Sequence, residues 1–488
     1  MKILINSQSF SEDGIYSQIE KLSRNPGIEK IFLYSSIMHS LHEDIKNDYS
    51  KINKTEFVST PTLFNNSGFK DEKFTLPKEK FQDEVGIFSD LISSYRWIPI
   101  SRRKDTDFFS FSALYYFDIY NYLDRFFLNN NIDTVFQMNE VHSSLDSILI
   151  KCAKKYKIEN IITSRVVGWE ASSAIEFHSF YDNVNEKYIR INESDRTQYI
   201  SKGDFETRKT HAKVYKDTLR KRILLNFSKT KKLFNGVESF SIIFNKLLKA
   251  IFLRFITIIY FIKQIQYIKK LKRYYVKKSI LDVDDGKKYN YYCLHFDPEA
   301  ATLPKDGCYA NQLLNIRILS SSIPSDWNLY VKEHPHQLDH KIYRGFLRNQ
   351  LNSMDCFRSK SFYDYILNME NVKLISFKSD HQALIKNSEF VSSNTGTILR
   401  EASAIKKKCI TFSCDTIFNL LENVVNVSDY SDCKNIFQGA SIIKKNTTKD
   451  VNTLFEEYSI SVMDLEKRSE KILEFAINNK YLITGKNV

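Results

Sequence analysis

Four side chains able to move protons or grip anions stand together in LYVKEHPHQ, residues 329–337. Apolar and aromatic residues lead straight into Lys332, Glu333, His334, Pro335 and His336, the pattern of a short buried strand that ends in titratable groups. His334 can donate to a phosphate or carboxylate, Pro335 fixes the turn that aims it, and Lys332 and Glu333 alternate to opposite sides of the strand. Two other arrangements fit the same residues: a structural Glu–Lys pair beside a satisfied core histidine, or a metal site of His334, His336 and His340. No acid or cysteine cluster completes such a ligand set at recognisable spacing, so neither a metal nor a cofactor is expected.

A second constellation lies in EFVSSNTGTILREASAIKKKCITF, residues 389–412. A strand ends in Ser393, Asn394, Thr395, Gly396 and Thr397, and a helix follows. Hydroxyl and amide groups, a glycine that permits close backbone approach, and the positive end of a helix dipole together favour a phosphate. Glu401 lies one turn further on the same face, where a carboxylate could accept from ribose hydroxyls. An ordinary N-cap with Glu401 on the surface is the plain alternative.

Four more stretches carry candidates. In HFDPEAATLPKDG (295–307), Glu299 is followed by small residues that leave room for a ligand, or it sits in a surface turn. In FQMNEVHSSLD (136–146), Glu140 and His142 stand at a strand-to-helix switch. There a general base could act on an acceptor hydroxyl, or the residues could serve capping alone. Gly14, in the first strand-to-helix region, and Glu170, in VVGWEAS, are candidates for lining the same cleft.

These residues need elements to hold them. Residues 1–200 alternate strand-like and helix-like runs: Ile3–Asn6, Gly14–Leu22, Ile31–Tyr34, Thr134–Met138, Ser144–Tyr156 and Ile158–Thr163. The stretch from 45 to 115 shows no regular period. From Tyr289 onward the alternation is clean through Lys408–Phe412, and a last helix is expected over Val462–Asn478. Strand–helix–strand repetition predicts parallel, doubly wound sheets. The expected fold is therefore α/β, with two Rossmann-like domains facing a cleft and a basic amphipathic helical segment between them. The expected bounds are 1–200, 201–285, 286–445 and a helical tail at 446–488.

The charge is uneven. Of the formal +13, the segment Lys202–Lys288 contributes 23 Lys and Arg against 7 Asp and Glu, and Ser239–Leu281 contains no acid. Within 239–278 the apolar residues fall on one side of a helix and the lysines on the other. The longest uncharged run, Phe255–Ile262, is far short of the roughly 20 residues that span a bilayer. Such a helix could rest on an anionic membrane surface or pack on its own core. Its aromatics lie on the aliphatic face, so a nucleic-acid partner is not expected. The seven cysteines form no CxxC pair and read as reduced core residues. The start, Met1–Asn6, reads as a strand without the features of a secretory leader, which suggests a cytoplasmic protein, peripheral at the inner membrane face.

The run PEAATLPKDGCYANQLLNIRILSSSIPSDWNLYVKEHPHQ, with SSNTGTILREASAIKKKCITF after it, resembles the donor-binding half of bacterial capsule and surface polysaccharide glycosyltransferases of the GT-B fold. That family includes the capsule proteins that transfer Kdo from its CMP-activated form. NEVHSSLDSILIKCAKKYKIENI is similar to a first-domain segment of related proteins, which often carry Pro-His where this chain has Val141-His142. The resemblance implies a metal-independent transferase. Its nucleotide-sugar donor would meet His334, Pro335, Ser393, Thr395, Gly396, Thr397 and Glu401. Its acceptor would be a glycan or lipid-linked glycan. Related folds include nucleotide-sugar epimerases and polymerases that use CDP-activated alditols.

Overall fold

The computed structural model describes residues 1–7, 13–34, 48–58, 108–138, 141, 144–170, 175–196, 259, 262–283, 286–297, 306–339, 357–413, 416–427, 429–439, 450–462 and 467–482. Two sheets organise them. In the first, β1 (Lys2–Asn6), β2 (Lys30–Tyr34), β3 (Thr55–Val58), β4 (Thr134–Gln137) and β5 (Asn160–Glu170) run parallel in the order β3-β2-β1-β4-β5. The strands read as near-continuous apolar runs because both faces are covered. Ile3 and Ile5 pack with the helix Asp13–Ser23, and Leu4 packs with the helices Phe108–Asn130 and Ser144–Lys155. The first sheet is then extended by antiparallel strands: β6 (Ile175–Asp182), with β7 (Lys187–Tyr188) beside it.

The second sheet holds β8 (Tyr289–Cys293), β9 (Asn328–Lys332), β10 (Val372–Ile375), β11 (Phe390–Ser393), β12 (Lys408–Thr411) and β13 (Val424–Asn426). All pairings are parallel, in the order β10-β9-β8-β11-β12-β13. Taken in chain order this is 3-2-1-4-5-6, the doubly wound arrangement whose ligand crevice opens where the order reverses, at the carboxyl ends of β8 and β11. The first sheet has the same reversal between β1 and β4.

Two expectations are corrected. Val462 does not begin the last helix. It closes β14 (Ile460–Val462), which pairs antiparallel with β6, and the helix Arg468–Asn478 follows and packs through Ile472, Leu473 and Ala476 into the core under β1. The chain therefore returns to its first sheet after completing the second. β5 likewise does not stop at Thr163. It continues through Glu170 and pairs along its length with β6 as an antiparallel hairpin with a register shift between Val166 and Gly168.

Of the basic segment, residues 262–278 are helical. Ile268, Leu271 and Tyr275 are buried, and Leu271 and Tyr275 join the core of the second sheet with Val331, Tyr363 and Leu374. The apolar stripe is thus spent on the protein's own core over this stretch. Lys263, Lys269, Lys270, Lys272, Arg273, Lys277 and Lys278 form an exposed outer face. The remainder of 239–261, apart from Ile259, lies outside the described residues. No helix among the described residues is long and apolar enough to cross a membrane.

Candidate functional site

At the crevice of the second sheet, β11 hands over to the helix Thr397–Ala404 through Ser393–Gly396. Ile398 and Leu399 are buried beneath, worth about 1.5–3 kcal/mol each, and so fix the helix in place. Gly396 is the N-cap residue, with φ +108° and ψ 171°, and no side chain caps the tip. The amide of Leu399 turns back to the Gly396 carbonyl. The amides of Thr397 and Ile398 have no helical acceptor, as the first turn of any helix requires.

Gly396 is a glycine for two reasons. Its backbone lies in a region that side chains exclude. A Cβ there would also stand 2.8 Å from Cε1 of His295, which rises from the end of β8. The His295 ring is 8% exposed. Its Nε2 accepts the Thr395 amide at 3.1 Å and lies 3.0 Å from the Ser393 hydroxyl, which also bonds the Cys293 carbonyl at 3.1 Å. With a backbone N–H donating into Nε2, the ring proton is on Nδ1. Burial pushes the imidazole down to about 4, against the opposing pull of Asp297, so the ring is neutral at pH 7.

This has a measurable consequence. Below the ordinary value of 6.5 the unfolded chain takes up a proton at His295 that the folded chain refuses until about pH 4. Stability from this group is complete above pH 6.5 and falls as pH drops toward 4, by roughly 3 kcal/mol at the limit. His295→Gln should flatten this part of the profile. Thermal midpoints of the two proteins from pH 7.5 to 4 measure it, and parallel profiles would contradict the assignment.

The other polar residues of the 393–397 loop are committed to their own chain. Asn394 is fully buried: its Oδ1 accepts from Tyr292 Oη at 3.0 Å and Asn315 Nδ2 at 2.7 Å, and its Nδ2 donates to Asp306 and the Tyr309 carbonyl. Thr395 Oγ1 meets Thr416 Oγ1 at 3.0 Å. What the loop offers outward is backbone, with the exposed Thr397 beside it. Glu401 pairs with His381 Nε2 at 3.1 Å, and His381 Nδ1 lies 2.9 Å from the hydroxyl of the buried Tyr291. A hydroxyl, an imidazole and a carboxylate thus form a chain running from β8 to the tip helix.

The segment that follows β9 is built differently from its appearance in sequence. Glu333 is fully buried, and its carboxylate takes Arg358 Nε at 2.7 Å, Tyr363 Oη at 2.7 Å and the His334 amide at 2.8 Å. Arg358 also reaches Asp297 Oδ2 at 2.8 Å and the His295 carbonyl at 3.0 Å. Burial alone would lower the guanidinium's affinity for its proton, but Glu333 and Asp297 outweigh burial and hold it charged. Gln312 and Gln337 complete the lattice around Asp297 and the His295 backbone. Glu333 is therefore occupied by this network and is not placed to meet a ligand. Lys332 sends its Nζ to the Ser379 carbonyl at 2.8 Å. His334 is half-buried and its Nδ1 accepts the His336 amide at 3.2 Å, which puts its ring proton on Nε2.

In the first sheet, Asn6 at the end of β1 donates to Gln137 Oε1 at 2.5 Å and Asp146 Oδ1 at 2.9 Å, all three buried. Gln137 and Asp146 bracket the segment that carries Glu140 and His142, and those two residues lie outside the described residues, as do Glu299 and His340. Gly14 does not stand open in a loop. It is in the first helical turn, and Glu470 of the returning helix lies directly over it, 1.9 Å from where a Cβ would be. Glu170 ends β5 opposite Ile175 in the hairpin.

The structure thus gathers Ser393–Thr397, Glu401 and His334 on the carboxyl-end loops of one sheet and adds His295, Arg358, Gln312 and His381, which sequence reasoning passed over. A signal for His295 existed: it is two residues past the end of the central strand β8. For Arg358 there was none, because its partners Asp297 and Glu333 stand past the ends of β8 and β9, 61 and 25 residues away. Among the described residues no group of three His, Cys, Asp or Glu side chains could hold a metal ion.

No family model matches the chain, and no curated protein matches it. Among solved structures, a UDP-GlcNAc 2-epimerase from Neisseria meningitidis bound to UDP-GlcNAc aligns at 13% identity over 98% of this chain and 100% of its own, with a TM-score of 0.23. A UDP-GlcNAc 2-epimerase from Methanocaldococcus jannaschii aligns at 12% identity over 98% and 99%, with a TM-score of 0.24. KpsC from Thermosulfurimonas dismutans, a beta Kdo 2,4 transferase, aligns at 9% identity over 67% and 79%, with a TM-score of 0.27.

Proposed function

We propose that the chain is a metal-independent glycosyltransferase of the GT-B type. It moves a sugar from a nucleotide-activated donor, a CMP-Kdo-like ulosonate or a UDP-sugar, to a growing surface polysaccharide. The observation that carries this reading is the helix tip at Gly396–Thr397, bare of any side-chain cap, at the point where the order of the second sheet reverses. Two backbone N–H groups and the dipole of a buried helix there suit the phosphate of an activated sugar. As the glycosidic bond to that phosphate breaks, negative charge grows on the leaving oxygen, and donors fixed beforehand stabilise it without reorganising. Glu401, one turn along and steadied by His381, suits the ribose hydroxyls; His334 Nε2–H suits a second acidic or phosphate oxygen. In this reading 286–445 binds the donor and 1–200 the acceptor, whose hydroxyl loses its proton to Glu140 or His142.

The Tyr291–His381–Glu401 chain favours one other reading. A carboxylate–imidazole couple beside the donor could remove and return a proton on the sugar itself, as a nucleotide-sugar epimerase must. Thermal unfolding with CMP, CDP, UMP and UDP comes first. A nucleotide at 100 times its Kd adds about 2.7 kcal/mol, which should raise the midpoint by several degrees. Failure of all four to shift it would remove the nucleotide site. Incubating the matching nucleotide sugars without a glycan then divides the two enzymes: isomerised donor means epimerase, and turnover that waits for an acceptor means transferase.

A further inference from the structure

We infer that His295 binds the donor phosphate directly, its Nδ1–H completing a three-donor pocket with the amides of Thr397 and Ile398. The inference rests on the nucleotide reading above and assigns a residue within it. Three observations converge. The Thr395 N–H donates to Nε2, which leaves Nδ1 as the protonated nitrogen. Among the described residues nothing accepts from it: the ring's bonds are those to Ser393 and Thr395. The fold thus holds a donor in reserve at the crevice. That donor sits at the tip of the helix, 3.7 Å from the point where a Gly396 Cβ would stand, and the missing Cβ lets the ring lie there.

The chemistry selects the ligand. An imidazole N–H whose other nitrogen is occupied can only donate, so it favours a group that only accepts. A phosphate oxygen is such a group; a sugar hydroxyl, which also needs an acceptor for its own proton, is less well served. The ring is neutral, so the pocket is made wholly of dipoles, and the bound phosphate keeps its charge through the reaction. His295 thereby joins, at the second sheet's centre, the role that sequence reasoning assigned to Ser393–Thr397 and His334.

The test uses the full chain labelled with 15N-histidine and long-range proton–nitrogen correlation spectra. Ten histidines are present, and His295→Gln identifies the resonance. The glutamine can still accept from Thr395 through its Oε1 but offers no donor at the Nδ1 position. UDP or CMP, whichever binds, should move the His295 Nδ1–H signal downfield, and uridine or cytidine should not. His295→Gln should bind that nucleotide about tenfold or more weakly with nucleoside affinity unchanged, the loss of one hydrogen bond to a charged group. Saturation by nucleotide with the Nδ1 signal unmoved would overturn this assignment and leave the nucleotide site standing. Absence of nucleotide binding by the wild-type chain would overturn both. The wild-type spectrum decides even where the variant folds poorly.

Discussion

Gly396→Ala should lose transfer activity by 100-fold or more while the protein still folds. The substitution has two separate costs. An alanine at φ +108° and ψ 171° must abandon a backbone conformation that only glycine tolerates, at about 1–3 kcal/mol. Its Cβ, 2.8 Å from Cε1 of His295, must also push the imidazole or the helix tip aside. Either movement spoils the amides of Thr397 and Ile398. Loss of a single fixed donor to a developing anion is typically worth 100- to 1000-fold in rate. Nucleotide titration and turnover of the variant, read beside its thermal midpoint, check this. Unaltered nucleotide affinity would mean that the ligand's phosphate rests elsewhere.

Arg358→Met should be the most destabilising substitution in the second sheet. The side chain is 1% exposed and bonded to Glu333 and Asp297. Removing it leaves the Glu333 and Asp297 carboxylates in the interior without the guanidinium that bridges them. Breaking a buried pair from one side costs about 3–5 kcal/mol, and here two acids are stranded at once. The thermal midpoint should drop by roughly 10 °C. The double replacement Glu333→Gln with Arg358→Met should recover part of that loss, because one of the stranded charges is gone. A single variant as stable as the parent would show that the network is not closed as described. His334 should feel the damage too, since its amide is held by the Glu333 carboxylate.

Much of this was readable from sequence, and the reasons differ by region. β10 and β11 were located to the residue because short runs rich in apolar and β-branched residues (VKLI, FVSS) lie between polar turns. The position of the Ser-Asn-Thr-Gly-Thr loop between a strand and a helix was legible as well. Its inner workings were not. Asn394 looks like a ligand contact in sequence, yet it is locked between Tyr292, Asn315 and Asp306, partners 79 to 102 residues away. Glu333 looked poised for chemistry because its neighbours are titratable, and only Arg358, 25 residues on, reveals it as a structural anion. Local pattern reports on local structure; a buried ion pair between distant elements leaves no periodic trace. β14 was missed, and Val462 taken as a helix start, for a related reason: three residues are too few to show period two.

The homecoming of the polypeptide at β14 has a practical corollary. Arg468 clasps Glu176, Arg190 clasps Glu457, and Phe177 lies edge-on to Phe455, so the tail is stitched into the opening lobe at several places. Severing the chain once near residue 445 would not yield two independent halves. The amino-terminal fragment would be left with β6 bare over Glu176–His178, an invitation to self-association. Isolating the half built on the second sheet requires excision from both directions, with the tail supplied back to its host.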